Sequence, residues 1–332
     1  MARYGYTLMT EQSGPRELVR YAATAEDAGF DFAVMSDHYS PWLSEQGHAP
    51  NAWVTLGAVA AATRRMDLMT FVTCPTMRYH PVIVAQQAAT LQILAQGRFT
   101  LGLGSGENLN EHVVGLGWPG VEERHERLAE AVRMIRELHS GATVTHYGER
   151  FRVEAAKLWD LPETPVPLAL AVSGERSVEK FAPLADEMVL NSPEPDVVAA
   201  WHGVRARVLG DTEGCRVTGQ LPISWDTDRD TAIRRAHEQF RWSAGGWEVN
   251  AELPNTAGFA AATRFVRPED VAEDIPCGPD LDAIVEAVAP YRDAGFTDIA
   301  LVQVGGENQE EFLAKAALPL LAKLRDADIA PR

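Results

Sequence analysis

The sequence predicts an α/β fold: a (β/α)8 barrel of the TIM type, with insertions, in one domain over residues 1–332. Three observations carry that expectation. Short apolar runs alternate with helix-patterned segments along the chain, which favours a parallel sheet. About eight strand-helix pairs can be counted, the number a closed barrel needs. Polar clusters follow several strands, and the C-terminal strand ends are where barrels build active sites. A doubly wound open sheet is the main rival; the number of pairs and the clusters favour the barrel.

Tyr4 to Met9 is the first strand, and Gly14 to Ala28 a helix with Leu18, Tyr21, Ala22 and Ala25 at helical spacing and Gly29 as its stop. Phe32 to Met35 is too short for a helix and reads as a buried strand. A helix over Trp53 to Ala62 leads to the third strand, Met66 to Val72. Pro81 to Leu94 is a helix opening on a proline where one is tolerated. Arg98 to Gly102 is the fourth strand, followed by the long charged helix Val121 to Leu138. Thr143 to Val153 reads as a small hairpin beside the main alternation. Then come strand Val166 to Val172, helix Val178 to Ala185, strand Met188 to Leu190, helix Asp196 to Leu209, strand Arg216 to Ser224 and helix Arg229 to Phe240. Residues 241–277 are irregular but rich in aromatics, an active-site insertion and not a linker. Helix Leu281 to Ala294, strand Ile299 to Val304 and one closing helix, Gln309 to Leu324, complete the chain.

With 332 residues, 46% of them hydrophobic, the chain can bury a substantial core. Its formal net charge of -17 disfavours nucleic acid and anionic lipid as partners. Cys74, Cys215 and Cys277 are odd in number and widely spaced, so no disulfide framework is expected and a reducing cytoplasm fits. No signal peptide and no bilayer-spanning apolar run are found.

The chemistry collects at strand ends. Ser36-Asp37-His38-Tyr39-Ser40-Pro41-Trp42, running on to Gly47-His48-Ala49-Pro50, follows the second strand. It offers a charge, a proton carrier and an apolar wall in one loop, although a capping Asp beside a surface His explains the pair as well. Gly102-Leu103-Gly104-Ser105-Gly106-Glu107 has GxGxG and not GxGxxG, and follows a fourth strand, so a nicotinamide site is disfavoured. Its glycines let the backbone approach a flat ring or a phosphate, with Glu107 either projecting into the same mouth or simply exposed. Ser173-Gly174-Glu175 opens a helix whose N–H groups suit an anion or an ordinary cap. Arg78 can face a phosphate or a neighbouring carboxylate. Trp242, Trp247 and Phe259 either wall the pocket around a substrate or form core under a long loop. His38, His48 and His80 lie on different loops without HExxH or paired-carboxylate spacing, so no metal is expected.

Taken together, Ser36-Asp37-His38 with Pro41-Trp42 and Gly47-His48-Ala49-Pro50, then Thr76-Met77-Arg78-Tyr79-His80-Pro81, then Gly104-Ser105-Gly106-Glu107 with Leu109-Asn110-Glu111, resemble the luciferase-like flavin and deazaflavin superfamily. Within it the chain most resembles the coenzyme F420-dependent glucose-6-phosphate dehydrogenases. The likeness spans nearly the whole chain, dense to the fourth strand and looser after Asp196. It implies a (β/α)8 barrel, a homodimer, and coenzyme F420 at the C-terminal mouth with a small-molecule substrate. By motif, Asp37 contacts the deazaflavin, His38 takes the substrate hydroxyl proton, Trp42 lines the reacting centre, and Glu107 lies near the ring nitrogen that gains charge. Phe71-Val72 matches a strand-end bulge, often a non-prolyl cis peptide, behind the ring. Thr76, Ser105, Gly106, Asn110, Val172, Ser173 and Gly174 match positions around the ring and its phosphate-bearing tail.

One departure bears on the substrate. Where the family holds the sugar phosphate with a lysine after the sixth strand, the matching run is Leu190-Asn191-Ser192-Pro193-Glu194. Glu194 stands at that position, with Arg264 and Arg267 as nearby candidate cations. A different, non-phosphorylated hydroxyl or carbonyl substrate is therefore expected, and Glu194→Lys is expected to improve sugar-phosphate turnover. The alternatives are an FMN-dependent monooxygenase of the same superfamily and a non-catalytic F420-binding protein.

Overall fold

A strand flanked by strands on both edges and covered on both faces has no solvent side, and its residues become apolar throughout. The computed structural model, which describes residues 1–211 and 213–329, buries β2 (Phe32–Met35) throughout and all but one residue each of β1 (Arg3–Leu8), β3 (Asp67–Thr70) and β4 (Phe99–Leu103), although of these only β2 is wholly apolar. β5 (Val144–Tyr147) and β6 (Arg152–Ala156) pair antiparallel as a separate hairpin. β7 (Leu168–Ala171), β8 (Glu187–Val189), β9 (Val217–Ile223) and β10 (Asp298–Gln303) complete the barrel. Its closed order is β1-β10-β9-β8-β7-β4-β3-β2, every pairing parallel, which rules out the open sheet.

The interior is filled by Phe32, Val34, Met69, Phe71, Ala169, Val189 and Ala300, large side chains set against small ones. Gly5 is part of that fit, since a Cβ there would lie 2.4 Å from the Phe32 ring. A larger apolar layer joins the outer strand faces to the surrounding helices through residues such as Leu18, Leu56, Val84, Ile135, Phe181 and Leu320. A smaller cluster, with Trp42, Leu109, Phe240, Phe259, Val271 and Ile275, packs 241–277 against the barrel.

The structure departs from the sequence-based expectation in three places. Residues 241–277 are not irregular: they hold short helices at Gly246–Asn250, Thr256–Ala262 and Pro268–Asp274. Helices of five to seven residues are too short to print a helical period, and they stand by packing and caps, such as Asn255 accepting from the Gly258 N–H. The closing helix is two, Gln309–Lys315 and Ala317–Ile329. Pro319 has no N–H to donate to the Lys315 carbonyl, so the ladder restarts. β3 ends at Thr70 and not at Val72; the Phe71–Val72 peptide bond is cis.

Candidate active site

The C-terminal strand ends open onto a cleft of about 400 Å³, within the range of small-molecule sites. Thr7 and Met9, Glu11, Ser36, His38, Phe71 and Glu107 reach it from the ends of β1 to β4. Asn191, Ser192, Gln220 and Pro222 come from β8 and β9, Trp242, Trp247 and Asn250 from the segment 241–277.

His38 is buried at the centre of a charged row. Its Nδ1 pairs with Oε1 of Glu11, and its Nε2 lies 3.8 Å from Oε2 of Glu107. Burial alone would push the imidazole down, but the Glu11 carboxylate, helped by Glu107, overcomes it and raises His38 to about 9. His38 is therefore charged at neutral pH. Burial likewise pushes Glu11 up, yet His38 and the Ser36 hydroxyl, which donates to Oε2 at 2.6 Å, hold it below the usual carboxylate range. The sequence reading missed Glu11. The signal was available: Thr10-Glu11-Gln12-Ser13 is a polar cluster directly after the first strand, at the same mouth position as the others.

Asp37 does not line the cleft. Successive residues of an extended chain face opposite ways, and Asp37 turns inward, fully enclosed. Its carboxylate accepts from Thr73 Oγ1 at 2.7 Å, and from Arg78 Nη2 and the Tyr79 hydroxyl at 3.2 Å each. Arg78 also donates through its backbone N–H and its Nε to Glu111, at 2.9 and 3.4 Å. Burial raises Glu111 to about 7 against the pull of Arg78. The Asp37 carboxylate thus holds a supporting place beneath the loop, and Arg78 faces carboxylates.

Asn110 joins the two functional loops. Its Oδ1 accepts from the backbone N–H groups of Tyr39 and Ser40 at 2.9 and 3.1 Å, and its Nδ2 donates to Glu107 Oε2 at 3.3 Å. Thr76 is buried beside Cys74, 3.1 Å from its Sγ. Gly106, next to Ser105, has φ +82, and a Cβ there would meet Cys74 Sγ at 2.7 Å. Phe71 lines the cleft, and Val72 leaves room only for glycine at position 104, where a Cβ would meet its Cγ2 at 2.6 Å. Trp42 is edge-on to His38 at 5.1 Å and stacks on Trp242 at 4.2 Å and 6°. Trp242 and Trp247 do wall the cleft, while Phe259 is core.

Other expected positions stand apart from this row. Val172, Ser173 and Gly174 follow β7 outside the cleft lining, and the Ser173 N–H already donates to Ser177 Oγ at 3.1 Å. Glu194 is an exposed N-cap, not a lining residue; Asn191 and Ser192 of its loop take the place expected of it. Arg267 pairs with Asp270 and Arg264 lies over Phe265, so neither brings a cation to the cleft. The residues lining it include no lysine or arginine.

Phe71, Trp42 and the close-packed Gly104-Ser105-Gly106 turn suit a flat ring with a polar edge. Among the described residues no cluster of metal-ligating groups occurs and no helix is long and apolar enough to cross a membrane.

Residues 2–298 match the family described as luciferase-like monooxygenase. The chain is 36% identical to an F420-dependent glucose-6-phosphate dehydrogenase of Nakamurella multipartita, covering 97% of this chain and 96% of that one. A second such dehydrogenase, from Kineococcus radiotolerans, is also 36% identical, covering 97% of each. In three dimensions the chain is similar to an F420-dependent secondary alcohol dehydrogenase solved with an F420-acetone adduct. The TM-score is 0.85 at 25% identity, over 96% of this chain and 99% of that one.

Proposed function

We propose a function from one premise: the chain belongs to the luciferase-like monooxygenase family, in the group of the F420-dependent glucose-6-phosphate dehydrogenases. It is a coenzyme F420-dependent oxidoreductase that moves a hydride between the deazaflavin and a hydroxyl or carbonyl substrate. The observation that carries this is the Glu11–His38–Glu107 row across the mouth of the cleft.

When bound, the deazaflavin supplies the carbon that accepts or gives the hydride. His38 Nε2 takes the hydroxyl proton in oxidation and returns it to the carbonyl oxygen in reduction. Glu11 holds the other ring nitrogen and fixes the orientation of the imidazole. Glu107, oriented by Asn110, serves the ring edge where charge develops. Trp42, Phe71 and Val72 would back the reacting centre, and Thr76, Ser105, Gly106, Val172, Ser173 and Gly174 would hold the ring and its phosphate-bearing tail. Asp37 acts through Arg78 and the loop. The whole chain forms one barrel unit, with 241–277 as its active-site insertion.

The F420 reading is preferred over FMN because the whole-length relatives, and the solved structure of like fold, are F420-dependent. Fluorescence titration tests it: F420 binds with micromolar or better affinity and FMN much more weakly, and equal FMN binding would reverse the choice. The substrate is a neutral hydroxyl or carbonyl compound. A phosphate dianion needs cations to replace its water; the lining offers no lysine or arginine, and its one imidazole, His38, is already paired with the Glu11 carboxylate and lies beside Glu107. Efficient kcat/KM on glucose 6-phosphate would return the chain to the sugar-phosphate substrates of its relatives.

The protein works as a homodimer in the cytoplasm. Helices Ala52–Ala62 and Pro81–Leu94 carry no charged residue, yet leave Val54, Ile83, Ile93 and Leu94 exposed. An uncharged apolar face on a chain of net charge -17 is where a second, equally charged copy can dock. Val54→Asp should shift sedimentation toward the monomer. The three free cysteines fit a reducing compartment.

A further inference from the structure

Leu8 and Met35 are register partners at the ends of β1 and β2, so Thr10-Glu11 and Ser36 leave the barrel side by side. Glu11 is 1% exposed, and its two carboxylate oxygens have different partners. Oε1 holds Nδ1 of His38, and Oε2 accepts from the Ser36 hydroxyl at 2.6 Å. That hydroxyl is itself oriented. The Thr10 backbone N–H donates to Ser36 Oγ at 3.0 Å, and Thr10 Oγ1 lies 2.9 Å from it. With an N–H arriving at its oxygen, Ser36 keeps its own proton for the carboxylate. The backbone of Glu11 is fixed as well, since its carbonyl accepts from the His48 N–H at 3.1 Å. A carboxylate that accepts a hydrogen bond is a weaker base than one that does not. Ser36 therefore competes with the imidazolium for one anion. The other charges facing His38 are Glu107, which strengthens its hold on a proton, and Arg78, which opposes it and is engaged by Asp37 and Glu111. Ser36 is the member of this set that can be removed without removing a charge.

We propose that Ser36 is a positioning residue for the proton transfer: it locks the Glu11 carboxylate against His38 and limits the basicity of that carboxylate, and so sets how tightly His38 holds the proton it exchanges with substrate. The proposal rests on the hydride-transfer reading above. In oxidation the reacting C–H gives its hydride to the deazaflavin and the substrate O–H gives its proton to Nε2 of neutral His38, leaving a carbonyl. Ser36 gives up no proton in this step; it acts only through Glu11.

The test uses the full chain with F420 and follows kcat/KM against pH for the best substrate of a secondary-alcohol panel running from 2-propanol to cyclohexanol. Ser36→Ala should move the rise in oxidation to higher pH by about half a unit or more, because the freed carboxylate holds the proton of the Glu11–His38 pair more tightly. That direction is opposite to the one expected when Glu11 itself loses its charge. F420 affinity, read by fluorescence titration, should not change. Ser36→Thr keeps the hydroxyl and should restore the native profile. A profile that stays in place or moves down in Ser36→Ala, or an upward shift that Ser36→Thr shares, would overturn the proposal while leaving F420-dependent alcohol oxidation intact. If no alcohol reduces F420, the hydride-transfer reading fails, and nitrogen NMR of the histidine side chains still decides the role of Ser36, with His38→Gln identifying the His38 signals. The His38 transition, at about 9 in the native chain, should move up in Ser36→Ala and not in Ser36→Thr. An unmoved or lowered transition refutes the proposal.

Discussion

The two sides of the cleft are held by different physics. On the side of β1 to β4, Glu11, Asp37 and Arg78 each have at least two partners and Glu111 is held twice by Arg78, so charge is fixed in place by neighbouring charge. On the side of β8, β9 and the insertion the lining is uncharged, with Asn191, Ser192, Gln220 and the aromatic walls of Trp242 and Trp247. The contrast separates two tasks. Moving a proton needs groups that are pre-oriented and do not reorganise during reaction. Choosing a substrate needs groups whose hydrogen bonds are completed only by the right molecule.

The largest effect tests whether the proton moves on the charged side. His38→Ala should lower kcat on an alcohol by about two to four powers of ten, with little loss of F420 affinity by fluorescence titration. Near-full activity would shift the proton to Glu107 or to water.

Next comes the rigidity of that side. Arg78→Ala leaves two enclosed carboxylates without their cation, at a cost of about 3–5 kcal/mol, read in denaturant unfolding. The pH dependence has a definite sign. Glu111 binds its proton more tightly folded, at about 7, than unfolded, so its contribution to stability declines as pH rises from the ordinary carboxylate range through 7. The Arg78→Ala loss should accordingly be smaller below pH 6 than at pH 8. A loss independent of pH would show that Glu111 does not face that cation in solution.

A moderate effect belongs to Glu11. Alcohol oxidation needs neutral His38, so kcat/KM should rise with pH to a plateau above about 9, and carbonyl reduction should be level below about 9 and fall above it. Glu11→Gln removes the carboxylate that raises the imidazole, and both profiles should move to lower pH by about one unit or more. Unmoved profiles would reduce Glu11 to a structural neighbour.

The smallest effect is expected from the uncharged side. Glu194→Lys should change kcat/KM for glucose 6-phosphate by less than about threefold, because Glu194 is exposed outside the cleft lining and water and salt screen it. A large gain would place residue 194 against the substrate after all and erase the contrast between the two sides.

The sequence by itself determined the barrel, since strands of three to seven residues alternating with helical periods leave few other ways to bury both faces of each strand. It also brought His38, Trp42 and Glu107 to one mouth, because in a parallel barrel all strands point the same way and residues just past their ends must gather there. What followed a strand end could be read; which way each side chain turned could not. Asp37 and His38 are adjacent in sequence, yet one is locked beneath the loop by Thr73, Arg78 and Tyr79 and the other faces the cleft. The partnership of Glu11 with His38, the helices of 241–277 and the stacking of Trp42 on Trp242 were decided only by tertiary structure. Each depends on contacts between segments far apart in sequence, and local spacing holds no record of which buried group finds which partner there.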